Sequence, residues 1–262
     1  MSIYLHEFKL SKTSVIIWTS VISLFMILSI FLYPSMKEQM KEISETFANM
    51  GTFSQAFGLD KLNFGTIMGY YSIECGNVLG LGGAFFAAIT GINVLAKEEK
   101  EHTAEFLISH PINRSSVVFQ KAMVVLSELV ILNIIVYLLS LISLLCIKED
   151  INYMKFTLIH LAYLLMQIEI AFICFGISSL SLKGSIGIGL GLAAIFYFIN
   201  IISNLMDKLS WVKYFTPFGF CDGATIISSG KLDYKYIIVG YIVMILCVGF
   251  SFYYYNKKDI KV

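Results

Sequence analysis

Two carboxylates stand where carboxylates are costly. Glu128 and Glu169 each interrupt an otherwise apolar run, 122–147 and 156–182. An acid near the centre of a membrane helix costs roughly 2.5–3.5 kcal/mol, so it is a candidate for proton, cation or substrate handling by default. Gln167 shares the run of Glu169, while Asn133 (in 122–147) and Asn200 (in 185–206) are further polar groups that a substrate path could use. Hydrogen bonding inside a helix bundle accounts for Glu169 equally well. Other chemistries lack their parts. His160 is the single intramembrane histidine, with no serine nucleophile or paired aspartates beside it for proteolysis. His6, His102, His110 and His160 are scattered, and Cys75, Cys146, Cys174, Cys221 and Cys247 form no CxxC pair. The sequence therefore assigns no metal ligand and no catalytic residue. No GK[ST] occurs, so the chain has no phosphate-cradling loop of its own. Gly184, Gly187, Gly189 and Gly191 stand at the entry to an uncharged run, where small residues let helices approach, as do Gly76, Gly80 and Gly83.

Lipid must surround the elements that carry these residues. Of 262 residues, 57% are hydrophobic and 14% charged, with a mean hydropathy of +0.77. A typical soluble domain has about 25% charged residues, so a water-soluble enzyme is excluded. A net charge of +1 excludes nucleic acid as a partner. A bilayer core about 30 Å thick needs about 20 apolar residues at 1.5 Å each. Six runs meet that need: 15–33, 76–96, 122–147, 156–182, 185–206 and 236–255. Pro34, Pro111 and Pro217 fall outside them, and uniform apolarity rules out a barrel's alternation. The expected fold is an all-α polytopic membrane protein, one transmembrane domain over 1–262.

Residues 1–14 alternate apolar Ile3, Tyr4, Phe8 and Leu10 with His6, Glu7, Lys9 and Lys12, the pattern of an interfacial helix ahead of an uncleaved first span. With both termini cytoplasmic, 10 Lys and Arg lie inside and 9 outside, and the inside ones crowd the span ends, which favours that orientation. The first outer loop carries Met36, Met40, Ile43, Phe47 and Met50 at helical spacing, an amphipathic helix expected on the outer leaflet. The segment 207–235, with Trp211, Tyr214, Phe215, Pro217 and Phe218, suits a re-entrant or gate-like cap.

The connection 97–121, KEEKEHTAEFLISHPINRSSVVFQK, holds a large share of the charges. Glu98, Glu99, Glu101 and Glu105 flank the apolar Phe106, Leu107 and Ile108, and Asn113 or Ser115 can cap the helix that follows Pro111. A solvated hairpin would explain the charges, but an apolar patch between carboxylates suits docking into a partner's groove. This segment resembles one found in the permeases of type 2 ABC transporters, E-x-x-x-G-T-x-E-x-L-L-S-x-P-x-x-R followed by K. Glu98, Thr103, Glu105, Leu107, Ser109, Pro111, Arg114 and Lys121 match; His102 replaces the usual Gly and Ile108 a Leu. The six-span plan and the ending YYYNKKDIKV are similar too.

The resemblance implies a cytoplasmic coupling helix between spans two and three, seated on a separate ABC ATPase. Glu98, Glu99, Thr103, Glu105, Phe106, Leu107, Pro111 and Arg114 would form that interface. It further implies two ATPase copies that bind ATP and Mg, a second permease chain (identical or not), no cofactor in this chain, and export of a hydrophobic or amphipathic cargo such as a membrane-active peptide. Short loops suit a bacterial plasma (inner) membrane. An ion-coupled carrier using Glu128 and Glu169 is the alternative, although no internal repeat is visible. A non-transporting scaffold leaves the coupling-like segment unexplained.

Overall fold

The computed structural model describes residues 3–48, 51, 54, 63–97, 113–180 and 185–258. Among them there is no strand, and six helices are long and apolar enough to cross a membrane. The chain is an all-α polytopic membrane protein. The first helix, α1, runs from Ile3 to Ala48 without a break. Its 46 residues would measure about 69 Å, well beyond the roughly 40–45 Å of a whole bilayer. The interfacial and outer amphipathic stretches are thus not separate helices but its two ends. Pro34 sits inside it, where its missing N–H leaves only the carbonyl of Ile30 without its helical donor.

The second span begins earlier than its uncharged run. It is built from α2 (Ile67–Cys75), a π-helical turn (Gly76–Leu81) and α3 (Gly82–Asn93). Thr66 starts it, its side chain accepting from the Gly69 N–H at 3.2 Å. The half-polar residues 65–74 ahead of that run are accommodated by local partners. Ser29 Oγ donates to Glu74 Oε2 at 3.2 Å, and Ser72 Oγ to the Gly69 carbonyl at 3.0 Å. The remaining elements are α4 (Arg114–Cys146), α5 (Tyr153–Leu180), α6 (Ile186–Leu205), two 3-10 turns (Asp207–Phe215 and Pro217–Phe220), α7 (Gly223–Ser229) and α8 (Tyr234–Lys257).

Helix α5 is the most buried span and the centre of the bundle, packed between α3 and α8, while α1 lies along α4. Without a hydrophobic drive between helices in lipid, such packing relies on close backbone approach. Gly91 of α3 faces the backbone carbonyl of Ala171 in α5 so closely that a methyl group would collide with it. Tyr163 of α5 lies over Gly76 and Gly80 of the π turn and donates its hydroxyl to the Cys221 carbonyl at 3.2 Å. Gly189 of α6 approaches the Ala88 carbonyl, whereas Gly191 meets nothing within 4 Å. α6 and α8 bury few of their own residues, and Ile195, Phe198, Ile245 and Leu246 point outward.

The chain ends of the bundle are tied separately. At the end opposite the termini, Lys37 Nζ bridges both oxygens of Glu149 at 2.7 and 2.9 Å, fixing the α1 extension to the α4–α5 connection. The segment 216–223 is inserted there: Thr216 Oγ1 donates to the Phe196 carbonyl at 2.8 Å, and Phe218 and Phe220 are buried. Trp211 and Phe215, by contrast, are exposed.

These contacts predict opposite outcomes for two helix glycines. Gly91→Ala should lower stability by about 1–3 kcal/mol through overpacking against α5. Gly191→Ala should be neutral or stabilising by up to about 1 kcal/mol, because Ala is the better helix former. Thermal unfolding in a mild detergent reads both.

Candidate functional site

The end that carries both termini also carries the two anchors of the charged connection, Lys97 and Asn113. There the Lys121 side chain is fully withdrawn from solvent. Its ammonium donates to the Val94 carbonyl at 2.7 Å and to Glu7 Oε1 at 3.3 Å, and Lys97 Nζ stands 3.6 Å from Glu7 Oε2. One carboxylate of α1 thus joins the last turn of span two to the second turn of α4. A buried charge left without its partner costs about 3–5 kcal/mol, so these three elements are held as a unit.

Helix α4 starts at Asn113, whose Oδ1 accepts from the Ser115 N–H at 3.0 Å. Arg114 follows and turns back onto its own chain. Its Nη1 donates to the Lys258 carbonyl at 2.8 Å and to the Asn256 carbonyl at 3.4 Å. The last carbonyls of a helix lack intrahelical donors and carry the negative end of its dipole, which a guanidinium satisfies on both counts. Asn256 Nδ2 donates to Ser115 Oγ at 2.8 Å, and Lys258 Nζ to the Ser179 carbonyl at 3.3 Å. The start of α4 and the end of α8 are therefore stitched together.

The candidate path residues separate into three places. Asn133 Nδ2 donates to Gln167 Oε1 at 2.6 Å and to the Leu129 carbonyl at 2.9 Å. Gln167 Nε2 donates in turn to the Leu79 carbonyl of the π turn at 3.2 Å, with Gly83 directly beneath the amide. These two amides hold spans two, three and four to one another. Glu169 lies about 200° around α5 from Gln167 and faces α8 instead, its carboxylate against Gly240 and its Oε2 without a hydrogen-bond partner. Asn200 is half-buried on α6, which packs on α3 and the 3-10 turns rather than on α5. Glu128 faces α1, in a cavity lined by Ser11 and Ser14. The two membrane acids therefore do not form a pair.

Glu98, Glu99, Thr103, Glu105, Phe106, Leu107 and Pro111 lie outside the described residues. One further group was not singled out by sequence. Glu7 reads as part of a polar interfacial face, yet it is 9% exposed and turned inward. Its signal was its isolation: it is the first acid of the chain and the next is Glu38. His160 is buried in an aromatic setting of Tyr71, Tyr137 and Phe156, with Nε2 2.6 Å from the Tyr71 hydroxyl, which is a tie between spans rather than a nucleophile and base. No cluster able to hold a metal occurs among the described residues.

The model for the ABC-2 family transporter proteins matches residues 1–260. The chain belongs to this family. No curated protein matches the sequence. As an ABC-2 family member it is the multi-pass membrane component of an ABC transporter, not itself the ATPase, and it works with an ATPase partner. In this permease the Glu7–Lys121 pair stands directly beside the ends of the charged connection.

A double-mutant cycle tests that pair. Glu7→Gln should destabilise the detergent-purified permease by about 3–5 kcal/mol, because it leaves the buried Lys121 ammonium without its counter-charge, whereas Lys121→Met should cost less, because Glu7 keeps Lys97 at 3.6 Å. The double variant should lose clearly less than the sum of the two, since neither partner then stays behind.

Proposed function

We propose that the chain is the transmembrane half of an ATP-driven exporter, with both termini and the segment 98–112 in the cytoplasm of a bacterial cell. Two such halves, identical or paired with a second permease chain, would work with two ATPase subunits that bind ATP and Mg. In this reading the connection 97–121 is the coupling segment, whose Glu98, Glu99, Thr103, Glu105, Phe106, Leu107 and Pro111 meet the ATPase. The observation that carries this reading is the anchoring of that segment's two ends. Lys97 reaches Glu7 of α1, and Arg114 reaches the last carbonyls of α8. A push on the segment is delivered to spans one, two, three and six at once.

ATP binding closes the ATPase pair and moves the coupling helix, and the bundle shifts between two packed arrangements; hydrolysis on the partner resets it. Arg114 has a different part from the other interface residues. Its bonds to Asn256 and Lys258 make it a link inside the permease, which transmits the motion to α8. The cargo is hydrophobic or amphipathic, with a membrane-active peptide the first to test.

Gentle purification of the tagged chain from its host, with mass spectrometry and an ATPase assay, tests this. A stoichiometric ABC ATPase should co-purify with it. Glu98→Ala with Glu105→Ala should release that subunit without altering the permease's thermal stability. Arg114→Ala should lower the stability by about 1–3 kcal/mol, because it leaves charged hydrogen bonds to helix-end carbonyls unmade. A chain that purifies alone and shows ion-driven flux dependent on Glu169 would refute the proposal.

A further inference from the structure

Between α1, α3 and α4, near the end that carries the termini, lies a cavity of about 160 Å³. Each helix gives it one face at helical spacing: Glu7, Ser11 and Ser14 from α1; Ile89 and Asn93, with Thr90, from α3; and Val124 and Glu128 from α4. The charged groups Glu7 and Lys97 stand at one end, already 3.6 Å from each other. Seven residues further along each of α1 and span two, about 10 Å deeper, are Ser14 and Thr90. Glu128 lies seven residues beyond Lys121 on α4, at that same depth.

Glu128 is 2% exposed, and its Oε1 has no hydrogen-bond partner. A buried carboxylate oxygen calls for a donor, and in a membrane interior for a counter-charge as well. Lys97 is the only cation among the residues lining the cavity, and Glu7 already draws it to the other end. Anions are thereby disfavoured. The volume also selects. One water needs about 10–15 Å³ by a comparable measure, so the space exceeds what a bare metal ion would fill. Its walls are of two kinds: hydroxyls of Ser11, Ser14 and Thr90 near the acid, and the apolar Ile89, Val124 and Val125 beside them. Ser14 lines the cavity and is exposed, so the cavity opens laterally there.

We propose that this cavity binds an organic ammonium with a short apolar body, Glu128 being its counter-ion and Ser14 and Thr90 accepting its remaining N–H donors. The alkyl part lies on Val124 and Val125, and a longer chain leaves past Ser14. The site goes beyond the exporter reading and does not depend on it, since ligand binding needs neither the ATPase nor a direction of transport. The same ammonium chemistry could come from a soluble amine or from an ethanolamine lipid headgroup.

The test is saturation-transfer NMR with n-butylammonium on the full chain in phosphatidylcholine nanodiscs. Saturable binding is expected, weakened at least tenfold by Glu128→Gln and unchanged by Glu169→Gln, a variant of the other buried acid. Tetramethylammonium, which has no N–H to donate, should bind at least tenfold more weakly than n-butylammonium. Thr90→Val, close in shape to the native residue, should also weaken binding and serves should Glu128→Gln fail to fold. Loss of n-butylammonium binding in nanodiscs containing phosphatidylethanolamine would assign the lipid as the source; unchanged binding there would assign a soluble amine. Absence of saturable binding, or equal binding by wild type, Glu128→Gln and Thr90→Val, would overturn the site.

Discussion

An ammonium group sealed from solvent inside a membrane protein must be held by oxygen on the spot, because neither water nor lipid can hold it. Lys121 meets that demand with a carboxylate from α1 and a backbone carbonyl from the end of span two. The demand is positional. Glu7 must sit on the inward face of α1, span two must bring the Val94 carbonyl alongside, and α4 must begin early enough for Lys121 to be in its second turn. Asn113 as the N-cap meets the last condition. Three helix ends are placed by one pair, and the charged connection between Lys97 and Asn113 starts and finishes on that platform.

Away from this platform the bundle is held by close approach rather than by charge. Gly91 against Ala171 and Gly240 against Glu169 let α3 and α8 lie directly on the two sides of α5. The amide chain from Asn133 through Gln167 to the Leu79 carbonyl adds direction to contacts that packing alone would leave free to slide. The π turn takes part in the same arrangement. It places Gly76 and Gly80 under Tyr163 and offers Leu79 to Gln167, so the irregular stretch of span two is also its most closely fitted. α6 and α8 turn most of their own residues outward.

The spans were legible in the sequence because lipid leaves few alternatives: about 20 uncharged apolar residues read almost as directly as a ruler. The N-cap at Asn113 and the absence of phosphate-binding glycines were legible for equally local reasons. What the sequence left open was set across helices. Nothing in residues 1–14 distinguishes an inward Glu7 from an interfacial one, since the difference is made by Lys121 some 114 positions away. Helix ends also escaped the hydropathy ruler. α1 continues through Pro34 to Ala48, and span two starts at Ile67, because polar residues there find partners such as Ser29 for Glu74. The four polar path candidates do not share a face. Period alone sets Gln167 and Glu169 on different sides of α5, and the neighbours decide that one amide is bonded and the acid is not.

Arg114 shows how a motif residue can also serve inside the chain that carries it. Matched to a partner-binding pattern, it reads as an interface residue; placed in the bundle, it binds the last carbonyls of α8. Motion that reaches Asn113 from the charged connection has two outcomes. Either α4 and α8 move together, or the bonds to Asn256 and Lys258 break with the helix-end carbonyls left unpaired. The second is the costlier, since charged hydrogen bonds contribute about 1.5–3 kcal/mol each. The same reasoning at the other anchor joins span two to α1 through Lys97, Glu7 and Lys121. α1 then carries any displacement along its whole length to the Lys37–Glu149 pair at the far end of the bundle. The two ends of the charged connection, Lys97 and Asn113, are thereby tied through continuous helices to both ends of the bundle.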